Sequence, residues 1–200
     1  DRSNYFSMKR THSKEALLQV GLDLVWSRGF NGTGVEAVLK EAKIPKGSFY
    51  NFFSSKEEFS LAVIDKFVAA RSEELSPILN DASLPAITRV KKSFETIITE
   101  FEKNGCYKGC LLGNLGQEMS DQFDKVRQRL EQSIQLWEKY VSDVLIQAQN
   151  ENSIPANIDT KMLAESMLAS FQGALLRSKI KKSSEPLRIF IQLYFNVFMA

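Results

Sequence analysis

The stretch Thr33-Gly34-Val35-Glu36-Ala37-Val38-Leu39-Lys40-Glu41-Ala42-Lys43-Ile44-Pro45-Lys46-Gly47-Ser48-Phe49-Tyr50-Asn51-Phe52-Phe53 decides the fold. Thr33, with Glu36 three residues on, has the spacing of a capping box and predicts a helix start. Val35, Val38, Leu39 and Ala42 recur at helical spacing, and the helix is expected to end near Lys43. Pro45 then opens a second, short helix, Lys46 to Phe52, since proline is tolerated at the first position of a helix. Two helices joined by a tight turn over residues 33–52 make a helix-turn-helix. In that motif the second helix enters the DNA major groove with its N-terminal residues foremost, and the first crosses the backbone. The residue types suit the task. Lys46 supplies a cation, Gly47 allows close backbone approach, and Ser48, Tyr50 and Asn51 carry donors. Lys56 sits where a phosphate would meet the next helix start. Phe49, Phe52 and Phe53 are read as core anchors rather than base readers. Each lysine taken alone reads equally well as a solvated face; the ordered run is what sets them apart.

Working outward, the chain has 200 residues with 26 Lys and Arg against 24 Asp and Glu, a formal charge of +2. Hydrophobic residues make up 44% and charged residues 25%, the composition of an ordinary globular protein. That excludes a long disordered chain, and 10 Gly and 5 Pro exclude a collagenous one. The small net charge hides an uneven distribution. Residues 8–56 carry eight Lys or Arg and four Asp or Glu, +4, whereas residues 57–200 carry 17 and 19, −2. A basic head on a mildly acidic body bears on encounter with nucleic acid. Two cysteines, Cys106 and Cys110, are too few for a disulfide scaffold. Together with the distant His12 they do not make a zinc site, so neither metal nor cofactor is expected. No apolar run reaches the roughly 18 residues of a membrane helix, and no signal-peptide order is seen. A cytoplasmic protein without a membrane partner is the expectation. Asp1 to Ser7, ahead of Met8, are set aside from the fold reading.

The pattern is helical throughout, so the fold class is all-α with about nine helices. Besides the two of the motif, helices are expected from Ser13 to Arg28, stopped by Gly29, and from Ser54 or Ser55 to about Glu74, with Pro77 closing that region. Further helices follow from Pro85 to Lys103, Leu111 to Met119, Asp121 to Asn150, Thr160 to Ile180 behind an Asp159 cap, and Pro186 onward. The run Gly105-Cys106-Tyr107-Lys108-Gly109-Cys110 reads as a break.

With these residues in hand, the chain resembles the DNA-binding domain of TetR-family transcriptional regulators. The resemblance is carried by Gly29-Phe30, Thr33, Val35, Ala42, the run from Ile44 to Phe53 and Ser55-Lys56-Glu57, and covers roughly residues 11 to 67. It implies a helix-turn-helix DNA-binding domain over 8–55 and a helical ligand-binding and dimerisation domain over 56–200. It implies double-stranded operator DNA, a second copy of the chain and a small-molecule effector as partners. DNA contact is carried onto Thr33, Gly34, Lys46, Gly47, Ser48, Tyr50, Asn51 and Lys56. His12 departs from the arginine many members have.

Residues 162–176 contain one charge, Glu165, and residues 186–200 contain only Arg188. Helices apolar nearly all round are buried on several sides, in a monomeric core or, as the family resemblance favours, in a four-helix dimer interface. Ser166, Ala169, Ser170, Gly173 and Ala174 are small enough for close approach, and Phe190, Tyr194 and Phe198 are the larger candidates for that interface. The run Gly109 to Glu118, with the later run Leu176 to Ile180 followed by Glu185-Pro186-Leu187, resembles the branch of the family that includes acrylate-responsive and N-ethylmaleimide-responsive repressors. That resemblance implies a sensing thiol at Cys110 beside Lys179, whose ammonium would favour the thiolate. The other reading of Cys110 is a small buried hydrophobe, and it is the stronger one for Cys106. Asn114, Glu118, Trp137, Phe171 and Gln172 are candidates to line an effector pocket; ordinary helix packing explains the apolar ones equally well. A thiol enzyme built on Cys110 is the rival from another class, without a convincing base since the sole histidine is His12.

Overall fold

The computed structural model describes residues 2–197 in backbone and 14–196 in side chain; Phe198 lies outside the described residues. In chain order the elements are α1 (Arg2–Arg28), α2 (Val35–Glu41), a 3₁₀ helix (Lys46–Asn51), α3 (Lys56–Leu79), α4 (Ala86–Lys103), α5 (Leu111–Met119), α6 (Asp124–Asn150), α7 (Thr160–Lys181), α8 (Glu185–Gln192) and a π turn (Leu193–Val197). No strand occurs among the described residues, and none of their helices is long and apolar enough to cross a membrane. The chain condenses into two compact units, and the boundary runs inside helices rather than at residue 55. The first takes the chain up to Ala69 together with Leu111–Leu130; the second takes Ala70–Cys110 and the chain from Glu131 on.

The first unit closes around α1. Leu17, Leu22 and Val25 are buried with Val38 and Leu39 of α2, Phe49 of the 3₁₀ helix and Phe59, Val63 and Ile64 of α3. Leu111, Leu115 and Met119 of α5 complete the same core, which is why α5 belongs with this unit. Burial of each such side chain contributes about 1.5–3 kcal/mol. The aromatics go where they were expected: Phe49, Phe53 and Phe59 stand with ring centroids 5.1–5.6 Å apart. Trp26 packs edge-on to Phe67 at 5.2 Å.

The second unit is built on Leu75 and Leu79, on Val90, Phe94 and Ile98 of α4, and on Val141 and Leu145 of α6. Met167, Phe171 and Leu175 of α7 join them, with Leu187 and Phe190 of α8. Phe94 is the hub, 4.8 Å from Phe171 and 5.0 Å from Phe190. Trp137 is half-buried against this core. Pro77 does not end α3, which continues to Leu79. A proline so near the end removes one helical hydrogen bond, and the full burial of Leu75 and Leu79 offsets it.

The helix ends follow local chemistry. Gly29 stops α1 at φ +79°. At α2 the stop is a Schellman motif with a lysine where glycine is usual. Lys43 sits at φ +55°, Ile44 N–H donates to the Leu39 carbonyl (2.9 Å) and Lys43 N–H to the Lys40 carbonyl (3.1 Å). Asp159 caps α7, accepting from the amides of Lys161 (2.9 Å) and Met162 (3.1 Å). The capping box expected at Thr33 and Glu36 is absent. Gly34 is the N-cap of α2, without a side-chain bond. A reciprocal cap forms instead before α3: the Glu58 amide donates to Ser55 Oγ (3.0 Å), while the Glu58 carboxylate accepts from the Ser54 amide and hydroxyl (2.6 Å each).

Candidate nucleic-acid interface

The 3₁₀ helix Lys46–Asn51 turns one side inward and the other to solvent. Phe49 is fully buried, while Tyr50 next to it is 71% exposed and stands edge-on to the Phe49 ring at 5.4 Å. The inner aromatic fixes the helix and leaves its neighbour's phenol outside. Lys46 is exposed and reaches back across the motif to Glu36 of α2, Nζ to Oε1 3.3 Å. An exposed pair of this kind is worth roughly 0.2–1 kcal/mol, so it orients Lys46 without occupying it. Asn51 is exposed and Ser48 half-buried.

Gly34 and Gly47 complete this face. A methyl group built on either would meet nothing within 4 Å. Gly34 has φ −78°, ψ 146°, a conformation open to any residue, and Gly47 has no positive φ. Neither backbone geometry nor internal packing calls for glycine at these positions.

Two residues expected to touch DNA have other work. Thr33 is buried, and its hydroxyl donates to the Gly29 carbonyl at 2.7 Å. Lys56 is half-buried: its ammonium donates to the Phe30 carbonyl (2.7 Å) and lies 4.1 Å over the Phe30 ring. Burial lowers the Lys56 pKa from its ordinary value, and Glu118 opposes that shift. Both side chains hold the turn between α1 and α2, and α3 begins with Lys56, so this residue braces the motif from behind. Glu118, expected in an effector pocket, belongs to the same turn, where Oε2 accepts from the Asn31 amide at 2.9 Å.

In the second unit, Cys106 and Cys110 are half-buried free thiols packed on the core. The break that holds them is left-handed at Gly105, Cys106, Lys108 and Gly109. The Lys179 stem crosses the break, its Cδ 3.7 Å from a methyl group built on Gly109. Phe171 is core and Gln172 half-buried; Asn114 lies with Glu118 in the first unit.

Of the dimer candidates, Phe190 is a correction. It is buried between Phe94, Phe171 and Tyr194 of its own chain. Ser166 and Ser170 are exposed, and their hydroxyls meet the Tyr194 hydroxyl at 2.9 and 2.8 Å. Gly173 is exposed; Ala174 is half-buried against the core. Composition missed the exposed apolar residues Met162, Leu176, Ile180, Ile189 and Leu193. With Ser166, Ala169 and Gly173, those on α7 run 162, 166, 169, 173, 176, 180, the alternating four-and-three spacing of a helix seam. That signal was present, but a segment apolar all round conceals which stripe faces outward.

A solvent-facing cation, phenol and amide on a short helix held from inside by a phenylalanine cluster are the working surface of a helix-turn-helix DNA-binding regulator. Residues 13–63 match the family of bacterial regulatory proteins of the tetR type, and residues 86–194 match the tetracyclin repressor-like C-terminal domain. The chain is 35% identical to the HTH-type transcriptional repressor DhaR of Mycobacterium sp. (strain GP1), over 96% of this chain and 95% of that one. The crystal structure of a regulatory protein TetR from Rhodobacter sphaeroides superimposes with a TM-score of 0.87 at 31% identity, covering 92% and 97% of the two chains. The reduced form of Escherichia coli NemR gives 0.86 at 30%, covering 93% and 96%. The chain belongs to the TetR family of transcriptional regulators.

Proposed function

We propose that this protein is a repressor that grips duplex operator DNA as a homodimer and is released by a small-molecule or thiol-modifying effector. The observation that carries the DNA-facing part is the open space at Gly34 and Gly47. With no internal demand for glycine, an external one remains: a DNA backbone or base edge that comes closer than a methyl group permits. The proposed contacts are the backbones of Gly34 and Gly47 and the side chains of Lys46, Ser48, Tyr50 and Asn51, with Thr33 and Lys56 behind them as supports. Gly34→Ala and Gly47→Ala test this directly. Each is expected to keep the parent's melting temperature and to lose about tenfold or more in operator affinity. Unchanged affinity in both would overturn the assignment. Lys46→Ala is expected to reduce the dependence of log affinity on log salt by about one unit, the signature of a lost phosphate contact.

The homodimer rests on the exposed seam of α7 with Ile189 and Leu193 beside it. A dimer sets two reading helices about 34–36 Å apart, the spacing of successive major-groove half-sites. Leu176→Glu is expected to shift the mass in solution from dimer to monomer; an unchanged mass refutes this face as the interface.

The release step is assigned to Cys110 with Lys179, on the ground that the lysine stem lies against Gly109, next to the thiol. DhaR and NemR both carry the name repressor, which favours repression here. An effector that binds one spacing of the reading heads better than another shifts the population away from the operator-bound form. Treatment with an α,β-unsaturated carbonyl is expected to lower operator affinity in the parent and not in Cys110→Ser. An equal response in both variants excludes Cys110 as the sensor. Turnover lost in Cys110→Ser would favour an enzyme instead; stoichiometric modification favours the regulator. Work on DNA sets the protein in the cytoplasm, without cofactor, metal or membrane.

A further inference from the structure

The turn between α1 and α2 delivers the first helix of the motif, and it is pinned by charged groups from two elements distant in sequence. From α3, Lys56 Nζ donates to the Phe30 carbonyl at 2.7 Å. From α5, Glu118 Oε2 accepts from the Asn31 amide at 2.9 Å. The other carboxylate oxygen lies against the α-carbon of Gly29: a methyl group built there would stand 2.2 Å from Oε1. Gly29 is thus glycine for two reasons, its φ of +79° and the carboxylate on its face. Thr33 closes the turn on itself through the Gly29 carbonyl. Glu118 is half-buried at the end of a helix whose Leu111, Leu115 and Met119 are fully buried, so its reach is set by a fixed support.

We propose that Glu118 is a positioning residue for DNA reading, holding the α1–α2 turn, and through it Gly34 and the start of α2, at the height DNA requires. The carboxylate touches neither DNA nor effector in this role. Its length is the decisive property: one methylene less and Oε2 no longer meets the Asn31 amide. Its charge is a liability near DNA, where a carboxylate repels the phosphates. Position and charge therefore predict opposite signs. By charge alone, removing Glu118 tightens DNA binding; by position, it weakens it.

The experiment measures binding of the full-length protein to a fluorescent duplex from its own upstream region, at several salt concentrations, beside the parent. Circular dichroism and solution mass serve as checks of fold and assembly. Glu118→Ala and Glu118→Asp are each expected to weaken binding about tenfold or more at fixed salt, with the parent's salt slope, since no phosphate contact is lost. Glu118→Gln keeps an acceptor at the right reach and is expected to stay within about threefold of the parent. Glu118→Asp retains the charge and the helix, so it carries the test even where the alanine variant fails to fold. The proposal is overturned if Glu118→Asp binds like the parent, if Glu118→Ala binds more tightly, or if the salt slope falls in either. The parent's own binding tests the DNA-reading role separately.

Discussion

Replacing Gly21 with alanine adds one methyl group to α1 where it meets Phe59. That methyl would lie 2.2 Å from Phe59 Cζ and 2.9 Å from Cε2. Comfortable carbon contacts start near 3.5 Å, so the ring must withdraw by more than about 1 Å. It has little room to do so. Phe59 is 2% exposed, with Phe49 and Phe53 at centroid distances of 5.5 and 5.1 Å behind it. Overpacking of this kind costs roughly 1–3 kcal/mol, against about 0.8–1 kcal/mol gained from alanine's better helix propensity. The net effect is a destabilisation of up to about 2 kcal/mol, or about 2–4 °C of melting temperature per kcal/mol in a chain of this size. Because Phe49 belongs to the 3₁₀ helix, displacement of Phe59 also moves the surface carrying Lys46 and Tyr50. The assays are thermal melting by circular dichroism and operator titration by fluorescence anisotropy. Gly21→Ala is expected to lower both stability and affinity, whereas Gly47→Ala, the same chemical change in open space, lowers affinity alone. A Gly21→Ala protein that melts higher than the parent with unchanged affinity would refute the packing argument.

Thr33→Val removes the hydroxyl bond to the Gly29 carbonyl while keeping the shape; a loss of about 1 kcal/mol is expected in denaturant titration. Arg89, 5% exposed, donates to the Leu79 carbonyl at 2.9 Å and to Gln147 Oε1 at 2.8 Å. Arg89→Met is expected to lower stability by about 2–3 kcal/mol, and Arg89→Lys to recover only part of it, because one ammonium cannot span the guanidinium fork. The Ser54 hydroxyl and amide hold the Glu58 carboxyl below its ordinary value of 4.5. The folded pKa lies below the unfolded one, so this contribution is present above about pH 4.5 and is lost as pH falls through the lowered value. Glu58→Ala is expected to flatten that part of the acid limb of the stability curve, followed by fluorescence.

What sequence reading recovered, and what it missed, divides by distance along the chain. The Asp159 cap, the break at 105–110 and the span of α5 depend on neighbours a few residues away, and their signals are local. Phe49, Phe53 and Tyr50 sorted correctly into anchor and outward phenol because a helix start was legible at Pro45. Lys56 and Glu118 were not legible, since their partners lie 26 and 87 residues away. A lysine at a helix start looks alike whether it awaits a phosphate or caps a distant carbonyl. Thr33 misled for a related reason: the three-residue spacing to Glu36 fits a cap, but its hydroxyl faces back to Gly29. Phe190 was misassigned because a helix apolar all round gives no phase. In the structure the α8 residues Leu187 and Phe190 turn inward, and Ile189 turns out.

The two tryptophans have a use beyond packing. Trp26 stands against Phe67 in the unit that carries the reading motif, and Trp137 against the core of the other. Each compact unit thus holds one native fluorophore. Trp26→Phe and Trp137→Phe, taken separately, leave a single reporter in one unit or the other. Unfolding curves of the two variants, compared with the signal from circular dichroism, show whether the units melt together or in turn. The same pair reports which unit feels DNA and which feels an added electrophile, without a dye attached to either thiol.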